Sequence, residues 1–298
     1  MTETLPQYTL GRTGLDVTQL GFGSGGLRGD READSDAHAK QVLNGVLDAG
    51  INFIDTAPDY GLSEERIGAA ISDRRDEYFL ATKCGCNLSP DGERLEPCHV
   101  WTADCLHRNI DQSLAHLKTD HVDLLQMHNP SVAEVQENGL IEALQEIRDA
   151  GKTRFIGVSS TAPHLPEFSR LGVFDTFQIP YSALERVHER MIQDAADAGA
   201  GIIIRGGMAK GHLDRGGRWE KWEQAGLDAL LDGMSRYEFV LRFTLTHPAC
   251  HTTIVATTNR DHLRANVAAA KAGPLSDELY REAARRLAAI GEVPAAGQ

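Results

Sequence analysis

The 298-residue chain has no run of basic residues, and its formal charge is −13. A surface of that sign argues against nucleic acid and anionic membrane surfaces as partners. No apolar stretch approaches the roughly 18 residues of a membrane span. The opening Met1-Thr-Glu-Thr-Leu-Pro6 lacks the charged and apolar regions of a secretion signal, so a cytoplasmic location is expected. Five cysteines are too few to staple a chain of this length and suit a reducing compartment. His-x-His occurs nowhere, which speaks against a metal-dependent hydrolase built on converging imidazoles and carboxylates. No linker rich in Pro, Gly or Ser divides the chain, so a single domain over residues 1–298 is expected.

What is present is a regular alternation. Strand-like runs occur at Thr18–Gly21, Asn52–Asp55, Tyr78–Lys83, Val122–His128, Phe155–Ser159, Thr176–Ile179, Gly201–Arg205 and Thr253–Ala256. Amphipathic helical stretches lie between them, among them Ala37–Ala49, Glu64–Ile71, Thr102–Leu117, Leu140–Ala150 and Ala183–Ala198. Strands alternating with helices predict parallel βα units. Eight of them predict a closed (β/α)8 barrel, an α/β fold of roughly 250 residues. Ahead of the first run, Tyr8–Thr18 reads as a hairpin turning at Gly11 and Gly14, placed to plug the barrel bottom. Cys84–His99 and Ala209–Gly226 read as long loops, the second carrying Trp219 and Trp222.

In such a barrel, chemistry sits where strands end and βα loops begin. Asp55 closes the second run, Tyr60 follows five residues later, Lys83 closes the third and His128 closes the fourth. A phenol is a weak proton donor at its free pKa of about 10. A neighbouring ammonium favours the phenolate, and a carboxylate can hold that ammonium in place. An imidazole adds a hydrogen bond that orients a carbonyl. Singly, each residue has an ordinary use as a cap, packing group or surface charge. Together, at matched strand ends, they predict carbonyl reduction with Tyr60 as the proton source.

The chain resembles the aldo-keto reductases. The resemblance rests on Leu20-Gly-Phe-Gly23, Phe53-Ile-Asp-Thr-Ala57, Tyr60-Gly-Leu-Ser-Glu-Glu-Arg-Ile-Gly68, Thr82-Lys83 and Asp123-Leu-Leu-Gln-Met-His128. It continues through Gly157-Val-Ser-Ser160, Gln178-Ile-Pro-Tyr181 and Asn259–Asn266. It implies reduction of an aldehyde or ketone by NAD(P)H, with Asp55, Tyr60, Lys83 and His128 as the catalytic tetrad. It also implies a nucleotide extended over the barrel mouth. Ser159 and Gln178 match positions that hydrogen-bond the nicotinamide carboxamide, Ser160 stands where Asn is common, and Asp55 and Thr56 match positions near the nicotinamide ribose. Gly23 and its glycine neighbours would admit the dinucleotide closely. Asn266 matches an adenine contact, and Thr257, Asn259, Arg260 and Arg264 surround a helix start suited to a phosphate. On that basis NADP is expected.

The chain departs from the family pattern in two places. Ile204-Arg205-Gly206-Gly207-Met208 lacks the aromatic that many relatives stack on nicotinamide, which leaves stacking to Arg205, an aliphatic face or nothing, while Gly206 and Gly207 could instead admit the pyrophosphate. Val255-Ala-Thr-Thr-Asn259 lacks a lysine that some relatives aim at a 2′-phosphate. The substrate is expected to be a small carbonyl compound or a sugar. Thr56-Ala-Pro-Asp-Tyr60 is similar to relatives that oxidise sugars at the anomeric carbon, so an aldose 1-dehydrogenase is one alternative. A nucleotide-binding regulatory barrel with slow turnover is another. Cys84, Cys86, Cys98, His99, Cys105 and His107 crowd one segment without the paired spacing of a zinc site, so packing is expected there and no metal. His247 and His251 flank Pro248 and read as loop residues.

Overall fold

The computed structural model of the chain describes residues 4–29, 33–89, 92–209 and 218–295. Its strands are β1 (Gln7–Thr9), β2 (Asp16–Thr18), β3 (Leu20–Gly23), β4 (Phe53–Asp55), β5 (Phe79–Cys84), β6 (Cys86–Leu88), β7 (Arg94–His99), β8 (Val122–His128), β9 (Thr153–Ser159), β10 (Thr176–Pro180), β11 (Gly201–Arg205) and β12 (Thr252–Val255). Strands β3, β4, β5, β8, β9, β10, β11 and β12 close in that order into one parallel barrel. Around it lie α1 (Ala33–Asp48), α2 (Ser63–Ile71), α3 (Ala103–Leu117), α4 (Val132–Glu137), α5 (Leu140–Asp149), α6 (Leu165–Leu171), α7 (Glu189–Asp197), α8 (Arg218–Gln224), α9 (Arg236–Thr246), α10 (Arg260–Ala272) and α11 (Asp277–Ala289). Among the described residues, no helix is long and apolar enough to cross a membrane.

The period of two along each strand decides which residues meet inside. Phe53, Phe79, Ala81, Leu124, Phe155, Ile203 and Ile254 form an inner cluster, while Ile54, Leu80, Leu125, Ile156 and Ile204 pack outward under the helices. Continuing the inward set two residues at a time leads from Phe53 to Asp55, from Ala81 to Lys83, from Leu124 to Gln126 and His128, and from Ile203 to Arg205. The apolar floor and the polar mouth are therefore written on the same strands.

The floor is closed by β1 and β2, which pair antiparallel. Leu10, Leu15 and Val17 join the inner cluster from below. Gly11 sits at φ +49°, and a Cβ there would lie 2.3 Å from the backbone nitrogen of Gly201, so only glycine allows the hairpin to seat this closely. Asp123, at the start of β8, fastens the same end. Its Oδ2 accepts from Arg75 Nη2 at 2.7 Å and from the Leu80 amide at 2.9 Å, and its Oδ1 accepts from Arg154 Nη1 at 2.6 Å.

Several sequence boundaries shift. The first barrel strand runs Leu20–Gly23 rather than Thr18–Gly21, because Thr18 pairs with Gln7 in the hairpin. The helix expected over Ala183–Ala198 starts at Glu189, since Ser182 and Glu185 bridge and their backbone groups are spent in that turn. Cys84–His99 is no irregular loop but ends β5 and folds into the β6–β7 hairpin. The Ala209–Gly226 loop holds α8, and its residues 210–217 lie outside the described ones. Within α8, Trp222 is fully buried against Phe239 and donates to Asp228 Oδ1 at 2.9 Å, so it is a core residue.

Candidate active site

Asp55 ends β4 and Lys83 lies one residue from the end of β5. Lys83 Nζ donates to Asp55 Oδ2 at 2.7 Å and to the Thr56 carbonyl at 2.8 Å, and both side chains are almost wholly buried. The other Asp55 oxygen accepts from Gln178 Nε2 at 2.7 Å and from Gln126 Nε2 at 3.1 Å. The carboxylate is thus saturated by one ammonium and two amides, which is what a buried charge requires.

Tyr60 is supplied by the turn after β4. Its amide bonds the Ala57 carbonyl, and Gly61 follows at φ +54°, a left-handed step that turns the chain into α2. Lys83 Nζ lies 5.1 Å from the centre of the Tyr60 ring, and Arg28 covers the ring at 5.5 Å. The His128 ring meets the phenol edge-on at 6.1 Å. The four side chains expected to work together therefore lie against one another at the mouth of the barrel.

Their ionisation follows from burial and charge. Lys83 is the strongest influence on Tyr60 and pulls its pKa down. Burial and the carboxylates of Asp55 and Asp59 more than offset that pull, so the phenol ends above its ordinary value. Desolvation disfavours the Lys83 ammonium, yet Asp55 and Tyr60 outweigh it and the pKa rises, leaving the group charged. His128 is pushed well below the ordinary histidine range by burial and by neighbouring cations, Lys83 first among them. The site thus holds a protonated phenol, an ammonium and a neutral imidazole at neutral pH.

Beside this group opens a cavity of about 470 Å³ lined by Gly23, Asp55, Tyr60, Arg205, Gly206, Thr257 and Asn266, all singled out in the sequence. Ser235 and Tyr237 also line it and were not singled out, because nothing in the sequence marks the start of α9 as facing the same space, and His262 joins them from within the Asn259–Asn266 segment. Arg205 Nε, in the cavity wall, and the Ser159 hydroxyl, at the end of β9, are buried without a hydrogen-bond partner, so this end of the barrel retains hydrogen-bonding capacity for a bound group. Ser160 is also buried, its amide on the Gln178 carbonyl. Thr56 turns its hydroxyl to Ser63 at 3.2 Å instead of into the cavity. The Asn259 side chain caps α10, accepting from the amides of Asp261 and His262. Arg260 and Arg264 line a separate surface cavity between α1 and α10, and Arg264 pairs with Asp261.

The Aldo/keto reductase family model matches residues 19–285, and the chain belongs to that family. It is 28% identical to an uncharacterised oxidoreductase, YqkF, of Bacillus subtilis over 90% of this chain and 92% of that protein. It is 29% identical to a D-threo-aldose 1-dehydrogenase of a Pseudomonas species over 77% of this chain and 78% of the relative. Among solved structures, the holo form of the aldo-keto reductase AKR11C1 from Bacillus halodurans superposes with a TM-score of 0.85 at 27% identity, covering 95% of this chain and 96% of that one. The chain is therefore an oxidoreductase of a family that works on carbonyl compounds with nicotinamide cofactors.

Proposed function

We propose that the protein reduces an aldehyde or ketone to an alcohol, with NADPH as the hydride source and Tyr60 as the proton source. The observation that carries this reading is Lys83, a buried ammonium fixed by Asp55 and the Thr56 carbonyl beneath the Tyr60 ring. When bound, the nicotinamide supplies a hydride to the carbonyl carbon. Tyr60 hydrogen-bonds the carbonyl oxygen and gives up its proton as negative charge develops there. Lys83 lowers the energy of the resulting phenolate, by the same attraction that pulls on the Tyr60 pKa. His128, kept neutral, retains an N–H that orients the carbonyl beside the phenol. Asp55 holds Lys83 in place.

The cofactor-facing roles belong to the same proposal. Ser159, Ser160 and Gln178 would hold the carboxamide, with Thr56 near the ribose. Gly23, Arg205 and Gly206 would border the central part of the nucleotide. Asn266 would meet the adenine, and Thr257, Asn259, Arg260 and Arg264 would hold the phosphate end. The unpartnered Ser159 hydroxyl and Arg205 Nε support this assignment.

A second reading is aldose 1-dehydrogenation, supported by the similarity to the D-threo-aldose 1-dehydrogenase and by Thr56-Ala-Pro-Asp-Tyr60. The same groups serve both directions, since the phenolate that Lys83 supports is the base for oxidation. The test is initial-rate measurement of NADPH oxidation with a panel of aldehydes and ketones, and of NADP+ reduction with aldoses. Turnover in either direction that collapses in Tyr60→Phe supports the chemistry. Nucleotide binding with no turnover on any of these substrates would favour a regulatory barrel.

A further inference from the structure

A second chemical set lies against the first. Asp59, Cys86, His99 and His128 each offer one ligand atom, and these four atoms lie within 4.8 Å of one another. They come from four places: the β4–α2 turn, β6, the end of β7 and the end of β8. Asp59 Oδ1 and Cys86 Sγ each approach His128 Nδ1 to 3.6 Å. Cys86 and His99 are direct partners in the β6–β7 hairpin, so the register of that ribbon holds thiol and imidazole side by side.

We propose that this quartet is a zinc site. One thiolate, two imidazoles and one carboxylate form a borderline-soft donor set suited to tetrahedral Zn²⁺. Zinc–ligand bonds of about 2.0–2.3 Å place tetrahedral donors roughly 3.3–3.6 Å apart. The two 3.6 Å approaches to His128 already fall at that spacing. Zinc binding would also use atoms left without partners, because Asp59 Oδ1 and His99 Nε2 are both buried and unbonded. The Asp59 side chain is only 4% exposed, so water does not readily compensate its free oxygen.

The surrounding groups hold the donors in position. The Cys86 amide donates to Asn109 Oδ1 at 2.8 Å, and Asn109 Nδ2 returns a bond to the Cys86 carbonyl at 3.0 Å. Trp101 stacks on the His99 ring at 5.6 Å, with the planes 13° apart. Gly85, just before Cys86, sits at φ +90°, and a Cβ there would fall 2.0 Å from the Trp101 ring, so glycine is required for that stack to form beside the hairpin. Two negative ligands would balance the charge of Zn²⁺, so the occupied site is neutral, and filling it offsets the negative charge that Asp59 otherwise presents near Lys83.

The sequence hid this set. Its crowd of Cys and His residues contributes only Cys86 and His99, while Cys84 and Cys105 pack in the interior and His107 faces Glu146. Asp59 and His128 arrive from other strands. Because His128 also belongs to the proposed reductive site, metal on Nδ1 fixes its proton on Nε2. That coupling rests on the reading under Proposed function, whereas metal binding itself does not.

The test uses the full chain, freed of metal by chelation and titrated with Co²⁺ under reducing conditions without substrate or nucleotide. One equivalent per chain is expected, with the intense visible bands of tetrahedral cobalt and a thiolate-to-cobalt charge-transfer band. Zn²⁺ should displace it and abolish both. Cys86→Ser should remove the charge-transfer band, and Asp59→Asn and His99→Gln should each weaken Co²⁺ binding by about tenfold or more. Cys98→Ser should leave the spectrum unchanged, and far-ultraviolet circular dichroism checks that each variant is folded. Failure to bind one equivalent, an octahedral spectrum, or a spectrum indifferent to Cys86→Ser in a folded variant would each overturn the proposal. Metal binding with no carbonyl turnover would retain the site and reject the reductive reading. Turnover with no metal binding would do the reverse.

Discussion

Lys83 Nζ and Asp55 Oδ2 form an ion pair 2.7 Å long in which neither side chain exposes more than 2% of its surface. A pair this deep is costly to build and costlier to break, because removing one partner strands the other charge in a poorly hydrated interior. Gln126 and Gln178 complete the coordination of Asp55. In the proposed mechanism Asp55 anchors Lys83, and it also acts directly on Tyr60 by raising the phenol pKa.

The proton-transfer role predicts the outcome of Tyr60→Phe. The ring and its contacts with Arg28 and Lys83 remain while the hydroxyl is lost. Turnover is expected to fall by about 10²-fold or more. Nucleotide affinity, read by quenching of protein fluorescence, should change little because the hydroxyl serves the carbonyl. Wild-type turnover in this variant would remove Tyr60 from the mechanism.

Lys83→Met separates the two effects on the phenol. Lys83 is the strongest influence on Tyr60 and pulls its pKa down, so without it burial, Asp55 and Asp59 raise the phenol pKa further. Oxidation needs the phenolate, so the basic limb of the oxidative pH–rate profile should move to higher pH. Reduction should slow sharply because the developing phenolate loses its counter-charge. The stranded Asp55 should also lower thermal stability, and Asp55→Asn combined with Lys83→Met should recover part of that loss. An unmoved pH profile would break the coupling.

Much of this site was legible before any fold was known, and the reason is geometric. A parallel barrel sends strand ends to one rim, so Asp55, Lys83 and His128 had to converge once eight βα units were recognised. Gln126 was not legible, because an amide two residues before His128 carries no signature until the Lys83–Gln126 register places it beside Asp55. The β6–β7 hairpin was missed because Gly85, Pro90, Gly92 and Pro97 punctuate it like a loop. The expectation that Lys83 would leave the phenol more acidic considered attraction alone. Burial and the second carboxylate, Asp59, reverse the net direction.

Glu64 gives a stability prediction independent of catalysis. It is buried on α2, its Oε1 accepts from the Thr82 hydroxyl, and its Oε2 lies 4.0 Å from His116 Nδ1. Burial pushes its pKa up from 4.5 to about 7. Between those values the folded chain keeps a proton that the unfolded chain releases, so stability falls as pH rises through the window and levels off above it. The ionised carboxylate then costs about 3 kcal/mol at pH 8. Glu64→Gln keeps an acceptor for Thr82 and removes the charge. Its melting temperature should exceed that of wild type at pH 8, and the advantage should vanish below pH 5. A constant difference across pH would reject the assignment.

The final prediction is a preference for NADPH over NADH. Arg260 and Arg264 stand on the first turns of α10, and both border the cavity between α1 and α10. Arg264 is held by Asp261, but that pair is 69% and 81% exposed, so separating it is inexpensive. A 2′-phosphate carries up to two negative charges and offers Arg264 a stronger, charge-assisted partner. Asn259 caps the helix with its own side chain and occupies two of the amides there, so the guanidinium groups carry most of the discrimination. Dissociation constants for both nucleotides, measured by calorimetry, provide the test. Arg260→Ala and Arg264→Ala should each weaken NADPH by about tenfold or more and leave NADH nearly unchanged. Asp261→Ala should tighten NADPH, because it frees Arg264 and removes a nearby negative charge. Equal affinities in wild type, or equal losses for both nucleotides in the arginine variants, would reject the preference, and a neutral Asp261→Ala would separate Arg264 from the phosphate.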